Sequence, residues 1–309
     1  MRAADCLTLI FGCIVTATSV CAGEAATQPA PSAPQAYKLK LLSFVPQPGH
    51  AAGVYLKVRI NGGRTLRLLL DSGAEHLVVA TAVARNAGLP VGPQLSLIGF
   101  GGQPDEGGYY TVAGSVETGP LTLRNCPVDV VNHKVVDGAD GVMPLALFSG
   151  FLVRLDLPGK VLELTPYENA TVPPERFTRA LAVNAVLLLR TVLNGLHDGY
   201  YLLDTGAAHN ALSRTTVSEL GGPGPGSEMR RVQGAAGASE VPQMRYAMHF
   251  RTAGQDIVSN DVVLVDLDTF SRYNGVKVAG LLGYPALSRY VLTVDYRHAL
   301  VRMQAAGEE

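Results

Sequence analysis

Apolar residues in this chain come in short runs separated by Gly, Pro, Asn and Asp, and almost nowhere do they hold the 3.6-residue period of a long helix. The segments 66–70, 121–131 and 200–203 read as strands. Two short helices are predicted, Thr81 to Leu89 and Ser213 to Leu220. Each opens at a Ser or Thr suited to capping and runs into a glycine, Gly88 or Gly221. The pattern predicts an all-β fold with a few short helices.

That pattern occurs twice. Leu69-Leu70-Asp71-Ser72-Gly73-Ala74-Glu75-His76 matches Leu202-Leu203-Asp204-Thr205-Gly206-Ala207-Ala208-His209 at a separation of 133 residues, with six of eight residues identical. Further on, Gly141 to Phe148 and then Leu155-Asp156-Leu157 match Gly280 to Leu287 and Val294-Asp295-Tyr296 at a separation of 139, so the second copy carries six extra residues. Each copy closes on a hairpin, turning at Pro158-Gly159 and at Arg297-His298. The repeat predicts two homologous lobes, 37–165 and 181–309, joined by a Pro-rich, charged linker at 166–180.

The N-terminus follows another rule. Arg2, an apolar stretch from Leu7 to Val20, and Val20-Cys21-Ala22 read as a secretory signal peptide over 1–22. The apolar core falls short of the ~20 residues that a membrane span needs, so no stable span is expected after cleavage. An Ala- and Pro-rich tether follows over 23–36. These features predict a periplasmic or secreted protein. Cys6, Cys13 and Cys21 fall in the leader, which leaves Cys126 as a small buried side chain without a disulfide partner.

A formal net charge of −1 with no Lys/Arg stripe argues against nucleic acid as a partner. The chemistry is carried by Asp71 and Asp204, each at the end of an apolar strand. A carboxylate there needs donors or a shared proton. Ser72 and Thr205 offer hydroxyls, while Gly73 and Gly206 allow a tight turn whose N–H groups approach the carboxylates.

These two tetrapeptides, Asp-Ser-Gly-Ala and Asp-Thr-Gly-Ala, resemble those of retropepsin-like aspartic proteases. The resemblance spans about Tyr37 to Met303 and implies an acid-protease β-barrel fold with pseudo-twofold lobes. It implies that Asp71 and Asp204 form a catalytic pair supported by Ser72, Gly73, Thr205 and Gly206, acting on a peptide or protein substrate without metal or cofactor. One chain then carries both halves of the site, so a monomer is expected. Glycine-rich flaps over the substrate are expected at Gly99, Phe100, Gly101 and Gly102 and at Gly234, Ala235, Ala236 and Gly237. The family's apolar-apolar-Gly segment is matched by Leu281-Leu282-Gly283. Val142-Met143-Pro144 departs from it, and Pro144 must turn differently because it has no N–H.

The alternative on the same fold is a non-catalytic binder of peptides or cell-wall fragments. His76 and His209, five residues past each Asp, are expected to serve packing or turn bonding. Asp156 and Asp295 are expected to face solvent or pair locally, and 261–268 to form one strand with a wet face rather than a calcium loop.

Overall fold

The structure, a computed structural model, describes residues 35–44, 53–94, 108–136, 138–234 and 237–308. The leader, nearly all of the tether, the first glycine-rich flap segment, and Ala235 and Ala236 lie outside the described residues.

In chain order the first half runs β1 (Tyr37–Lys40), β2 (Leu42–Phe44), β3 (Gly53–Ile60), β4 (Leu66–Asp71), β5 (Leu77–Ala80), α1 (Thr81–Asn86), β6 (Tyr109–Thr118), β7 (Leu121–Val131), β8 (Gly141–Pro144), β9 (Phe151–Asp156) and β10 (Val161–Pro166). The second half runs β11 (Thr178–Arg179), β12 (Leu181–Val183), β13 (Val186–Leu193), β14 (His197–Leu203), β15 (Asn210–Ser213), α2 (Arg214–Glu219), β16 (Met229–Gly234), β17 (Gly237–Pro242), β18 (Met248–Thr252), β19 (Gln255–Ser259), β20 (Val262–Val265), α3 (Asp268–Asn274), β21 (Val278–Leu282), α4 (Tyr284–Leu287), β22 (Tyr290–Asp295) and β23 (Leu300–Ala305).

The first lobe is a seven-stranded sheet, β2-β3-β4-β8-β5-β7-β6, closed on itself by a β3–β6 pairing. The second lobe orders its strands β19-β18-β13-β14-β21-β15-β20. In each, the strand leading to an aspartate pairs in parallel with the later strand of the repeat, β4 with β8 and β14 with β21. A third sheet, β1-β10-β9-β22-β23-β11, draws on both halves and joins them where β9 and β22 pair antiparallel.

The Leu-Leu pair before each aspartate follows from sheets that are covered on both faces. Leu70 and Leu203 point into the main core. Leu69 and Leu202 point the other way, into separate clusters with Tyr55, Val78 and Val142 in one lobe and Leu188, Val263 and Leu281 in the other. Burying one such side chain contributes about 1.5–3 kcal/mol, so both positions hold the strand in register. The outer cluster of the first lobe is covered by Val135, Val136 and Ala139, and that of the second by Phe270 and Val276 beside α3. Most of the extra residues of the second copy fall there.

Several expectations need correction. Both helices stop short of the predicted ends, although Gly88 and Gly221 do follow them in the left-handed region, at φ 64° and 85°. Ser213 caps α2 by accepting from the Thr216 N–H at 3.1 Å, but Thr81 does not cap α1, because its hydroxyl donates to Val131 O and Asn132 Oδ1. Residues 261–268 are not one wet strand. The β20 strand is mostly buried, and Asp268 opens α3. Asp295 pairs locally, as expected, with His298 Nδ1 at 2.7 Å and the N–H groups of Arg297 and His298, and it is fully buried, accepting also from Tyr167 Oη at 2.8 Å. A buried carboxylate needs that many donors. Asp156, its counterpart, accepts from Gly159 N at 2.7 Å within its own turn.

Candidate active site

β4 ends at Asp71 and β14 ends one residue before Asp204, so each carboxyl leaves the sheet at the start of a turn. The two turns meet. Thr205 Oγ1 donates to Leu70 O at 2.9 Å and accepts from Ser72 N at 3.1 Å. Ser72 Oγ donates to Leu203 O at 2.7 Å and accepts from Thr205 N at 3.0 Å. Each hydroxyl therefore satisfies one N–H and one carbonyl of the opposite half. Thr205 is fully buried and Ser72 nearly so, which makes these four bonds the accounting of four backbone groups that no water reaches.

The glycines are required by proximity. A Cβ on Gly73 would stand 2.6 Å from Asp204 Cγ, and one on Gly206 would collide with the Asp71 carboxyl. Each turn thus packs its backbone against the other half's carboxyl. Gly73 N donates to Asp71 Oδ1 at 2.6 Å, while Gly206 N and Ala207 N donate to Asp204 Oδ1 at 3.0 and 2.9 Å.

Asp71 and Asp204 are close enough for their charges to couple. Burial raises the Asp71 pKa, and N–H groups of Gly73, Ala74 and Gly206, together with the Asp204 carboxyl, offset part of that rise. Burial likewise raises Asp204, and there the Asp71 charge adds to it, so it stands well above the usual carboxylate range. The pair titrates as a unit.

The neighbouring strands support the two turns differently. Asp204 N donates to Leu282 O at 3.0 Å, and Gly283 N donates to Asn210 Oδ1 at 2.8 Å. Asn210 is fully buried, and its Nδ2 donates to Ser259 Oγ and Asp261 O. In the first half Pro144, opposite Asp71 across the β4–β8 pairing, offers no N–H, and the position matching Asn210 is the buried Leu77. Donor and acceptor are absent together. The chain also leaves differently, through a 3-10 turn at Leu145–Phe148 rather than through α4.

Sequence reasoning left out the partners of the two histidines. His76 Nδ1 lies 3.1 Å from Asp129 Oδ1 on β7, and His209 Nδ1 lies 2.6 Å from Asp261 Oδ1 just before β20. Asp129 stands inside an apolar run, Val128-Asp129-Val130, and Asp261 just ahead of one, but neither setting names its partner. Burial disfavours the charged imidazole of His76, but Asp129 and Glu75 outweigh it and the His76 pKa is raised.

Of the flap segments, the second forms a hairpin of its own, with β16 paired to β17 and Gly234 opposite Gly237. Cys126 is buried in β7. Among the described residues, no group of three or more His, Cys, Asp or Glu could hold a metal ion, and no helix is long and apolar enough to cross a membrane.

A family model described as aspartyl protease matches residues 56–145 and 190–286, one stretch in each half. Among solved structures, an aspartic proteinase from Irpex lacteus is similar at 13% identity and a TM-score of 0.49, over 88% of this chain and 98% of that one. No curated protein matches the sequence. The family match covers more than half of the residues and includes both aspartate turns, and the chain belongs to the aspartyl protease family.

Proposed function

We propose that the protein is an exported aspartic endopeptidase, active as a monomer, that hydrolyses peptide bonds with a water held between Asp71 and Asp204. The observation that carries this reading is the crossed packing of the two carboxyls, each set against the glycine of the opposite turn, with the turns bracing one another through their hydroxyls. Two facing carboxylates resist joint ionisation, so one proton stays between them.

We assign the ionised role to Asp71 and the protonated role to Asp204, whose pKa is raised by burial and by the Asp71 charge. Asp71 takes a proton from the water as its oxygen attacks the peptide carbonyl carbon, and Asp204 gives its proton to the carbonyl oxygen. The tetrahedral diol then collapses: the C–N bond breaks, the amine leaves with the proton from Asp71, and the re-forming carboxyl returns a proton to Asp204.

The test is cleavage of a peptide library by residues 23–309 from acid to neutral pH, with Asp71→Ala and Asp204→Ala beside it. Cleavage abolished in both variants supports the reading, and cleavage indifferent to either refutes it. Export is supported by Arg2, the apolar run 7–20 and the small-residue site ending at Ala22. N-terminal sequencing of protein recovered outside the cytoplasm should begin at Gly23.

A further inference from the structure

Each aspartate turn leaves the sheet at a carboxyl and rejoins it immediately after a histidine, since β5 starts at Leu77 and β15 at Asn210. The loop between those points is five residues long and packs its glycine against the opposite carboxyl. The position of each carboxyl therefore depends on where the far end of its loop, and that of its partner, is held.

Both far ends are held in the same way but from different places. Pairing Leu77 with Val128 and Asn210 with Val262 makes Asp129 the counterpart of Val263, and Asp261 the counterpart of Pro127. A simple copy of one half would have placed the two acids at matching positions. Instead the two halves reach one contact, histidine Nδ1 to carboxylate, from acids two positions apart on the neighbouring strand. A carboxylate oxygen accepts, so Nδ1 carries the donated hydrogen. The bond therefore persists when the imidazole is neutral and becomes charge-assisted when it is protonated.

The surroundings are few. His76 meets Asp129 from β7, Glu75 from its own loop and the Tyr110 ring from β6 at 5.7 Å between centroids. His209 meets Asp261. Neither imidazole is among the groups bonded to the aspartate pair.

We propose that His76 and His209 are positioning residues: each clamps the far end of its aspartate loop to a carboxylate of the adjacent strand, and together they hold Asp71 and Asp204 at the separation where the two share a proton. This rests on the peptidase reading above.

The test compares His76→Leu and His209→Leu with His76→Asn and His209→Asn, whose amide nitrogen can take the place of Nδ1. Peptide cleavage is measured across pH, with thermal unfolding alongside. The leucine variants should lose about tenfold or more in kcat with KM little changed, because a small displacement of the reacting groups is costly. The asparagine variants should recover to within about threefold of wild type, because the amide keeps the bond to the carboxylate. If a leucine variant does not fold, Asp129→Asn and Asp261→Asn weaken the same bonds with little change of shape, and they should lower kcat in the same sense. Folded leucine variants with wild-type kcat and pH profile overturn the proposal. So does equal loss in leucine and asparagine variants that tracks a lowered unfolding temperature. A wild-type chain that cleaves nothing refutes the peptidase reading itself, and is told apart because the signal is missing before any histidine is changed.

Discussion

Replacing Thr205 with valine tests the brace between the two turns. Valine keeps the volume and branching of threonine and removes only the hydroxyl. Leu70 O then loses its 2.9 Å donor and Ser72 N its 3.1 Å acceptor, at a residue with no exposed surface. Leaving a buried backbone group unsatisfied costs about 1–3 kcal/mol, so two such groups predict a loss of about 2–6 kcal/mol. Thr205→Ser keeps the hydroxyl and gives up one methyl, at a cost of about 0.8 kcal/mol. Urea unfolding of wild type and both variants at one pH gives the comparison, read from the midpoint at constant slope. Peptide cleavage should fall in parallel for valine, by about a hundredfold if the carboxyls separate by about 1 Å. Valine within about 0.5 kcal/mol of wild type, or serine as damaging as valine, would show that the crossed hydroxyl bonds are not what joins the turns.

Gly206→Ala places a methyl against the Asp71 carboxyl and should cost at least about a hundredfold in kcat while the chain stays folded, as circular dichroism would show. Asp204→Asn should stabilise the fold at neutral pH. A carboxyl whose pKa is raised on folding contributes stability below its unfolded pKa and loses it as pH rises through the folded value, and the neutral amide escapes that loss. Unfolding temperatures that coincide at neutral pH would contradict this. Asp295 has the opposite sign. Burial raises its pKa, but His298, Tyr167 and backbone donors outweigh this and leave it lowered. Its contribution is present above the unfolded pKa and disappears as pH falls through the folded one. Asp295→Asn should therefore destabilise by about 1–3 kcal/mol near neutrality and by progressively less in acid.

The repeat was legible because an apolar run, an acid, a hydroxyl and a glycine had to recur together to build each half of one site. The two-faced burial of Leu69 and Leu202 is the physical origin of the Leu-Leu signature that revealed it. What escaped were contacts between distant segments. Nothing local in Asp129 or Asp261 points to a histidine some fifty residues earlier, and nothing in Asp295 announces the Tyr167 hydroxyl. Thr81 misled for a related reason, since its hydroxyl had a choice of partners and took the carbonyl of Val131. Pro144 was correctly read as a departure, but its remedy, a leucine at 77 in place of an asparagine, lies in another strand.

The junction of β9 with β22 separates cohesion from connectivity. The covalent path between the halves runs through 167–177, yet the ladder that joins them, from Val291 opposite Asp156 to Val294 opposite Val153, lies elsewhere in the chain. The crossed hydroxyls add further ties between the halves, and the Tyr167 to Asp295 bond holds the start of the linker to the second half. A single cut between Ala170 and Pro173 would therefore turn one chain into two without parting them, and the nicked protein should elute as one particle and come apart only when denatured.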